Sequence, residues 1–424
     1  MSASTVIRSP ALGLLALFFL ACDPKPPSEA GFGHSFAVVP DIDGDGVEDI
    51  IAAIPLHSFS RDRRTRVNAG GLCVISGQTG VTRSCHYGAN GGAFLGSSII
   101  SLATPTGPGR LVACAPGERA RGGEWKGVCH IIDAEWFTEV GAVQFASSLA
   151  HSLGDISGDG FEDFGLRSPD RQRWAAVSGA NGEVLWEIAL QKNSEYAHIL
   201  TGLLLDIDGD QLSEAVATTY NRDTDSFSLS IHSGASGSKV SSCSPSHMTH
   251  FGFSLATVVP VANSDMTQSP RVVVGSVDKA ESIDVSLVLL DPTTCEILRM
   301  GDALLPPSTE TGSITETISV LDDVNGDGVN DLARTSTCYN GCTGSRVDVI
   351  SGKTLSSLQT QESEFDGTRR QIAVAPDYNR DGVPDFIWNA KSGERDVLQI
   401  IDGATLDVLL ERGFDDQNWR WRDQ

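Results

Sequence analysis

Beyond the N-terminus, short apolar runs alternate with polar, turn-rich segments along the whole chain. Runs such as DIIAAIP (Asp49 to Pro55) and DFIWNA (Asp385 to Ala390) are rich in β-formers and too short for a helix. Five such runs follow a recurring nine-residue loop: DIDGDGVED from Asp41, DISGDGFED from Asp155, DIDGDQLSE from Asp206, DVNGDGVND from Asp323 and DYNRDGVPD from Asp377. A second pattern, strand, small-residue turn, strand, recurs in step with the first, as in LCVISGQTGVTRSC, VCHIIDAEWFTEV and LVLLDPTTCEILRM. Each unit therefore predicts four strands: an inner strand, the loop, a second strand, a longer connection and an outer hairpin. Four-stranded units at a fixed period are propeller blades. The expectation is an all-β, seven-bladed β-propeller with hairpin loops of this kind in five blades. A leader ending at Ala21 would leave 403 of the 424 residues, about 58 per blade, near the kelch-type period.

The loop is a calcium cage in chemical type. Hard oxygen ligands at positions 1, 3, 5 and 9, with a backbone carbonyl at position 7, suit Ca²⁺. In the first copy these are Asp41, Asp43, Asp45, Val47 (carbonyl) and Asp49, and in the second Asp155, Ser157, Asp159, Phe161 and Asp163. The third offers Asp206, Asp208, Asp210, Leu212 and Glu214, and the fourth Asp323, Asn325, Asp327, Val329 and Asp331. The fifth offers Asp377, Asn379, Asp381, Val383 and Asp385. An EF-hand would need a bidentate Glu at position 12, where the five copies hold Ala52, Leu166, Ala217, Arg334 and Trp388. Position 6 is Gly except for Gln211, so the Asp206 loop is expected to bind most weakly.

The flanks GFGHSFAVVP and IIAAIP around the first loop resemble the FG-GAP repeat of integrin α-subunits and related bacterial surface proteins. Two further copies, Ala93 to Pro116 and His250 to Asp278, keep the flanks and lack the loop. The resemblance implies a propeller with about five Ca²⁺ sites on one face and the connections from second to third strand on the other. The repeats begin and end in phase, so the last hairpin is expected to complete blade 7, with the tail GFDDQNWRWRDQ packed near blade 1.

Residues 1–21 read as a lipoprotein signal peptide: Arg8, an apolar segment from Ala11 to Ala21, then Cys22, too short to span a bilayer. Phe19-Leu20-Ala21-Cys22 looks like a lipobox, which implies lipid on Cys22, a Pro-rich tether over residues 22–30 and the propeller over 31–424. The chain is then exported and anchored to a bacterial cell envelope by lipid alone, with the outer membrane or cell surface favoured over the inner membrane. Eight further cysteines in an exported chain suggest disulfides. The repeat alignment puts Cys73 and Cys85 on one outer hairpin and Cys114 and Cys129 on neighbouring strands. Cys338 and Cys342 bracket a tight turn, which leaves Cys243 for Cys295, while spacing alone fixes none of these pairs.

A formal net charge of −24 argues against nucleic acid as partner. Basic residues nonetheless gather on the opposite-face connections of blades 1 to 3: Arg61, Arg63, Arg64 and Arg66, then Arg119, Arg121 and Lys126, then Arg167, Arg171 and Arg173. With Trp125 and Trp174 they form a candidate ligand face for an anionic polysaccharide or an acidic protein surface. Catalytic motifs are absent: there is no HExxH, and GHSFA fails the nucleophile elbow. The expected function is a monomeric, non-enzymatic adhesion or ligand-binding module. Two alternatives stand beside it, a calcium-dependent polysaccharide-active enzyme of lyase type and a quinoprotein-like cofactor binder suggested by VSGANGEVLWEI (Val177 to Ile188).

Overall fold

The computed structural model describes residues 31–61, 64–104, 109–119, 127–134, 137–145, 150–168, 173–189, 197–202, 206–221, 226–243, 255–258, 271–277, 285–301, 313–339, 345–363, 372–392 and 395–413. The expected leader and tether, Cys342 and the C-terminal tail beyond Gly413 lie outside these residues.

The chain forms seven four-stranded antiparallel sheets. Blade 1 holds β1 (Phe36–Val39), β2 (Asp49–Ala53), β5 (Gly71–Ile75) and β6 (Thr82–Tyr87), with the small hairpin β3 (Phe59–Arg61) and β4 (Arg64–Arg66) between β2 and β5. Blade 2 is β7 (Ser98–Leu102), β8 (Arg110–Ala115), β9 (Val128–Asp133) and β10 (Glu139–Val143). Blade 3 is β11 (Ala150–Gly154), β12 (Asp163–Arg167), β13 (Arg173–Val177) and β14 (Val184–Ala189). Blade 4 is β15 (Ala197–Gly202), β16 (Ala215–Asn221), β17 (Ser226–His232) and β18 (Lys239–Cys243). Blade 5 is β19 (Leu255–Val258), β20 (Arg271–Val277), β21 (Val285–Leu290) and β22 (Ile297–Met300). Blade 6 is β23 (Ser313–Val320), β24 (Leu332–Tyr339), β25 (Ser345–Ile350) and β26 (Ser357–Ser363). Blade 7 is β27 (Ile372–Ala375), β28 (Asp385–Ser392), β29 (Arg395–Ile401) and β30 (Val408–Gly413).

The first strands β1, β7, β11, β15, β19, β23 and β27 pack side by side around the axis, and β27 meets β1, which closes the ring. The fold is a seven-bladed β-propeller. Blade 7 takes all four strands from residues 372–413, so closure rests on packing rather than on a strand exchanged between blades. At that seam Arg412 Nη2 donates to Thr79 O at 3.3 Å, and Leu398 and Ile400 pack with Phe36 and Ile50.

Each of the seven apolar clusters fills one blade-to-blade interface. Val74 and Leu111 belong to the 1/2 cluster, Val112 and Phe164 to 2/3, Trp174 and Ala217 to 3/4 and Val216 and Val288 to 4/5. Leu289 and Leu332 belong to 5/6, Val349 and Phe386 to 6/7 and Ile51's neighbour Ile50 with Ile387 to 7/1. This follows from the pleat, in which successive residues face opposite neighbours. A middle strand is therefore buried on both faces and reads as a nearly unbroken apolar sequence, as β2 after Asp49 and the whole of β5 show.

Disulfides join Cys73 to Cys85 and Cys114 to Cys129 within blades, and Cys243 to Cys295 between blades 4 and 5. Cys295 sits in the outer turn before β22 rather than on an outer strand.

Candidate metal centres and ligand face

In an antiparallel blade the turns from first to second strand and from third to fourth share one face of the ring. All five carboxylate loops occupy the first of these positions, beside the outer turn of the same blade. The five loops share one internal geometry. The position-1 carboxylate accepts the N–H of position 6: Gly46 to Asp41 at 2.7 Å, Gly160 to Asp155 at 2.9 Å, Gln211 to Asp206 at 2.9 Å, Gly328 to Asp323 at 2.7 Å and Gly382 to Asp377 at 2.7 Å. The position-5 carboxylate accepts the N–H of position 7, from Val47, Phe161, Leu212, Val329 and Val383, at 2.8–3.1 Å. Carboxylate oxygens of Asp41, Asp43 and Asp45 converge within 4.8 Å of one another, and those of Asp206, Asp208 and Asp210 do the same. In the other loops position 3 is Ser157, Asn325 or Asn379; the two Asn side chains accept the N–H of Asp327 and Asp381 at 2.9 Å.

Position 9 is placed differently from positions 1, 3 and 5. Asp49, Asp163, Glu214, Asp331 and Asp385 are all buried beneath the loop, and burial raises the pKa of each, that of Asp163 and of Asp331 to about 6. Asp49 Oδ2 accepts from Ile42 and Asp43, while Oδ1 accepts from Gly77 of the outer turn at 3.1 Å. Asp163, Asp331 and Asp385 bond the matching glycines Gly179, Gly352 and Gly403 at 3.0–3.1 Å. Glu214 Oε1 accepts from the N–H groups of Ile207 and Asp208, while its Oε2 is buried with no hydrogen-bond partner.

The donor set is all oxygen, carboxylate-rich and held in shape by backbone amides, which fits a hard divalent cation. The buried, unpartnered Glu214 Oε2 fits it too, since a lone carboxylate oxygen inside a protein is costly without a cation or a donor. Arg83 Nη2 lies 2.7 Å from Asp43 Oδ2, so loop 1 also has a cation of its own within reach.

Loop and outer turn, which recur in step along the sequence, are bonded to each other in the structure. Ser76, Ser178, Ser233 and Ser351 donate to the position-5 oxygens of Asp45, Asp159, Asp210 and Asp327 at 2.8, 3.3, 3.4 and 3.1 Å. In blade 7 Asn379 Nδ2 reaches Asp402 at 2.8 Å. The following glycine is required by close approach. A Cβ on Gly77, Gly179, Gly234 or Gly403 would stand 1.8–2.0 Å from the carbonyl oxygen of Glu48, Glu162, Ser213 or Pro384, each the residue before position 9. Blades 2 and 5, without the loop, carry Ala134 and Pro292 at this place. That co-occurrence within one chain was the signal available in the sequence. The structure also makes position 4 left-handed, with Gly44, Gly158, Gly209 and Gly326 at φ 74–85° and Arg380 at 63°. Arg380 is thus a second non-glycine strain point beside Gln211 at 70°.

The opposite-face connections are only partly described. Arg61 and Arg64 pair across the β3–β4 hairpin, Arg119 is exposed and Arg66 half-buried. Arg63, Arg121, Trp125, Lys126 and Arg171 lie outside the described residues. Arg173 pairs with Glu187 at 2.8 Å. Trp174 does not stand on this face: it is fully buried between blades 3 and 4, with the Arg167 guanidinium 5.9 Å from its ring centroid. The reason is alternation on β13, where Trp174 shares its face with Ala176 toward blade 4. Trp186, the tryptophan behind the quinoprotein alternative, is a wedge between blades. Its Nε1 donates to Gly234 O at 2.6 Å and its ring covers Gly237.

No protein-family model matches the chain, and no curated protein matches it. Among solved structures, BamB from Moraxella catarrhalis is similar at 12% identity, over 85% of this chain and 90% of that one, with a TM-score of 0.38.

Proposed function

We propose that the protein is a calcium-binding propeller of the FG-GAP type that serves as a binding module for a protein or an anionic polysaccharide at a bacterial envelope, held there by a lipid on Cys22. The observation that carries this reading is the repetition of one carboxylate geometry in five loops, each with a buried position-9 carboxylate whose pKa burial raises. A bound Ca²⁺ would supply the positive charge that lets these groups ionise inside the protein. The chain's own residues then act as a frame. Positions 1, 3 and 5 present oxygens, position 9 ties the loop to the outer turn, and the Ser–Gly pair fixes the blade rim. The module binds rather than catalyses in this reading, and the ligand meets the basic connections on the face opposite the loops.

The test is calcium titration calorimetry on the full-length protein, followed by a carbohydrate array and an envelope pull-down with and without calcium. Calcium binding at several sites together with a calcium-dependent retained ligand supports the proposal. Absence of calcium binding refutes it, and release of unsaturated oligosaccharides from an acidic polysaccharide replaces it with the lyase reading.

A further inference from the structure

A cavity of about 220 Å³ lies on the flank of the ring between the outer hairpins of blades 1 and 2, apart from the carboxylate loops and bordered by Glu118 of the blade 2 connection. Its floor is apolar, formed by the buried Leu72, Leu95 and Ile132. Its walls carry the rings of His86, Tyr87 and Phe137. His86 and Phe137 meet at a 39° tilt with centroids 4.6 Å apart, and burial lowers the pKa of the His86 imidazole. Phe137 occupies the left-handed backbone region at φ 50°, unusual for an aromatic residue, so the outer turn itself fixes where this ring stands.

The polar side of the cavity is a triad. His130 Nε2 lies 3.0 Å from Glu118 Oε2, and its Nδ1 lies 2.8 Å from Glu139 Oε2. Burial opposes charge on this imidazole, but the two carboxylates outweigh burial and raise its pKa. Two carboxylates thus face one imidazole. Each carboxylate enters the triad through Oε2 alone, which leaves an Oε1 on each as an acceptor. No Lys or Arg is among the described residues that line the cavity.

We propose that this cleft binds an organic cation, the ammonium or guanidinium group of a free amine or of a partner protein's lysine or arginine side chain. The N–H donors meet the free carboxylate oxygens in charge-assisted bonds. The Phe137 and Tyr87 rings supply cation–π attraction, and an alkyl stem lies on the Leu72, Leu95 and Ile132 floor. The net charge of the triad repels anions, so this site and the basic connections select ligands of opposite sign. None of the proposed calcium ligands takes part, and the two readings fail separately.

The experiment titrates the full-length, calcium-equilibrated protein with N-acetyl-lysine methylamide, N-acetyl-arginine methylamide and the neutral N-acetyl-norleucine methylamide. The readout is the imidazole C–H NMR shifts of His86 and His130. Saturable shifts with the cationic amides and none with the norleucine compound are expected, and Glu139→Gln should weaken binding about tenfold. Glu139 is 53% exposed, so this variant keeps the fold. If the amides fail but a lysine- or arginine-containing peptide gives shifts that Glu139→Gln weakens, the cation comes from a partner chain. Shifts from neither amides nor peptide, equal shifts from the norleucine compound, or binding indifferent to Glu139→Gln would overturn the proposal.

Discussion

Blades 1, 3, 4, 6 and 7 differ from blades 2 and 5 at both ends of one face. The first group pairs a carboxylate loop with an outer turn that opens on Ser-Gly or Asp-Gly, and the second has neither the loop nor the glycine. The loop's position-8 carbonyl presses against the outer glycine and its position-9 carboxylate bonds the glycine's N–H, as at Glu48, Asp49 and Gly77. Loop and turn are therefore one structural device, and a blade has both halves or neither. In the loopless blades Cys295 of the blade 5 outer turn is tied to blade 4, whereas Cys114–Cys129 of blade 2 lies at the other end of β8 and β9, away from the outer turn. Blade 1 has both the loop and a disulfide, so a disulfide does not exclude the loop.

Calcium removal should give the largest effect and tests this contrast most directly. Each site saturated a hundredfold above its Kd stabilises the fold by about 2.7 kcal/mol. EDTA should thus lower the melting temperature strongly and speed hydrogen exchange in the five loop-bearing blades, with blades 2 and 5 least affected. Uniform exchange across the seven blades would break the contrast.

Next in size is the outer glycine. Gly77→Ala or Gly179→Ala forces a methyl against a backbone carbonyl and should cost about 3 kcal/mol in denaturant unfolding. In blade 2 the turn needs no such approach, and Ala134→Gly should cost about 1 kcal/mol or less. Equal costs at both places would show that the glycine does not belong to the loop.

The response to pH separates the metal-free from the metal-bound protein. Asp163 and Asp331 have folded pKa values of about 6, raised from an ordinary 3.8. Between these values the folded state holds more protons than the unfolded one, so stability falls as pH rises through that window. The fall should be visible in EDTA, by melting at stepped pH, and should vanish in calcium, which takes over the role of the proton. A metal-free stability that climbs over this range would contradict the burial of position 9.

The smallest effect distinguishes loops from one another. Gln211→Gly and Arg380→Gly each remove a left-handed non-glycine and should tighten calcium at their own loop about fivefold, near 1 kcal/mol. Calorimetry should also place the Asp206 loop, with Gln211, among the weaker sites. A tightest site there would mean that the unpartnered Glu214 Oε2 outweighs the backbone strain.

Repeated local patterns made the architecture legible. A carboxylate loop between two β-runs and a strand–turn–strand unit each depend on residues close in sequence, so the recurrence of the unit in seven blades set the blade count and the fivefold recurrence of the loop set the loop positions, and the alignment correctly paired Cys73 with Cys85 and Cys114 with Cys129. What stayed hidden was whatever depends on the facing blade or on a distant turn. Trp174 reads as a surface aromatic beside basic residues, yet the pleat turns it into the 3/4 interface. Asp49 reads as one more ligand, yet it is buried and bonded to an amide 28 residues away. Glu118 stands next to Arg119 in sequence, yet it meets His130 on the neighbouring strand. Sequence period sets which residues repeat, because local chain geometry generates the period. Only the closed ring decides which face each repeat presents to its neighbour, because that choice is made by packing between segments far apart along the chain.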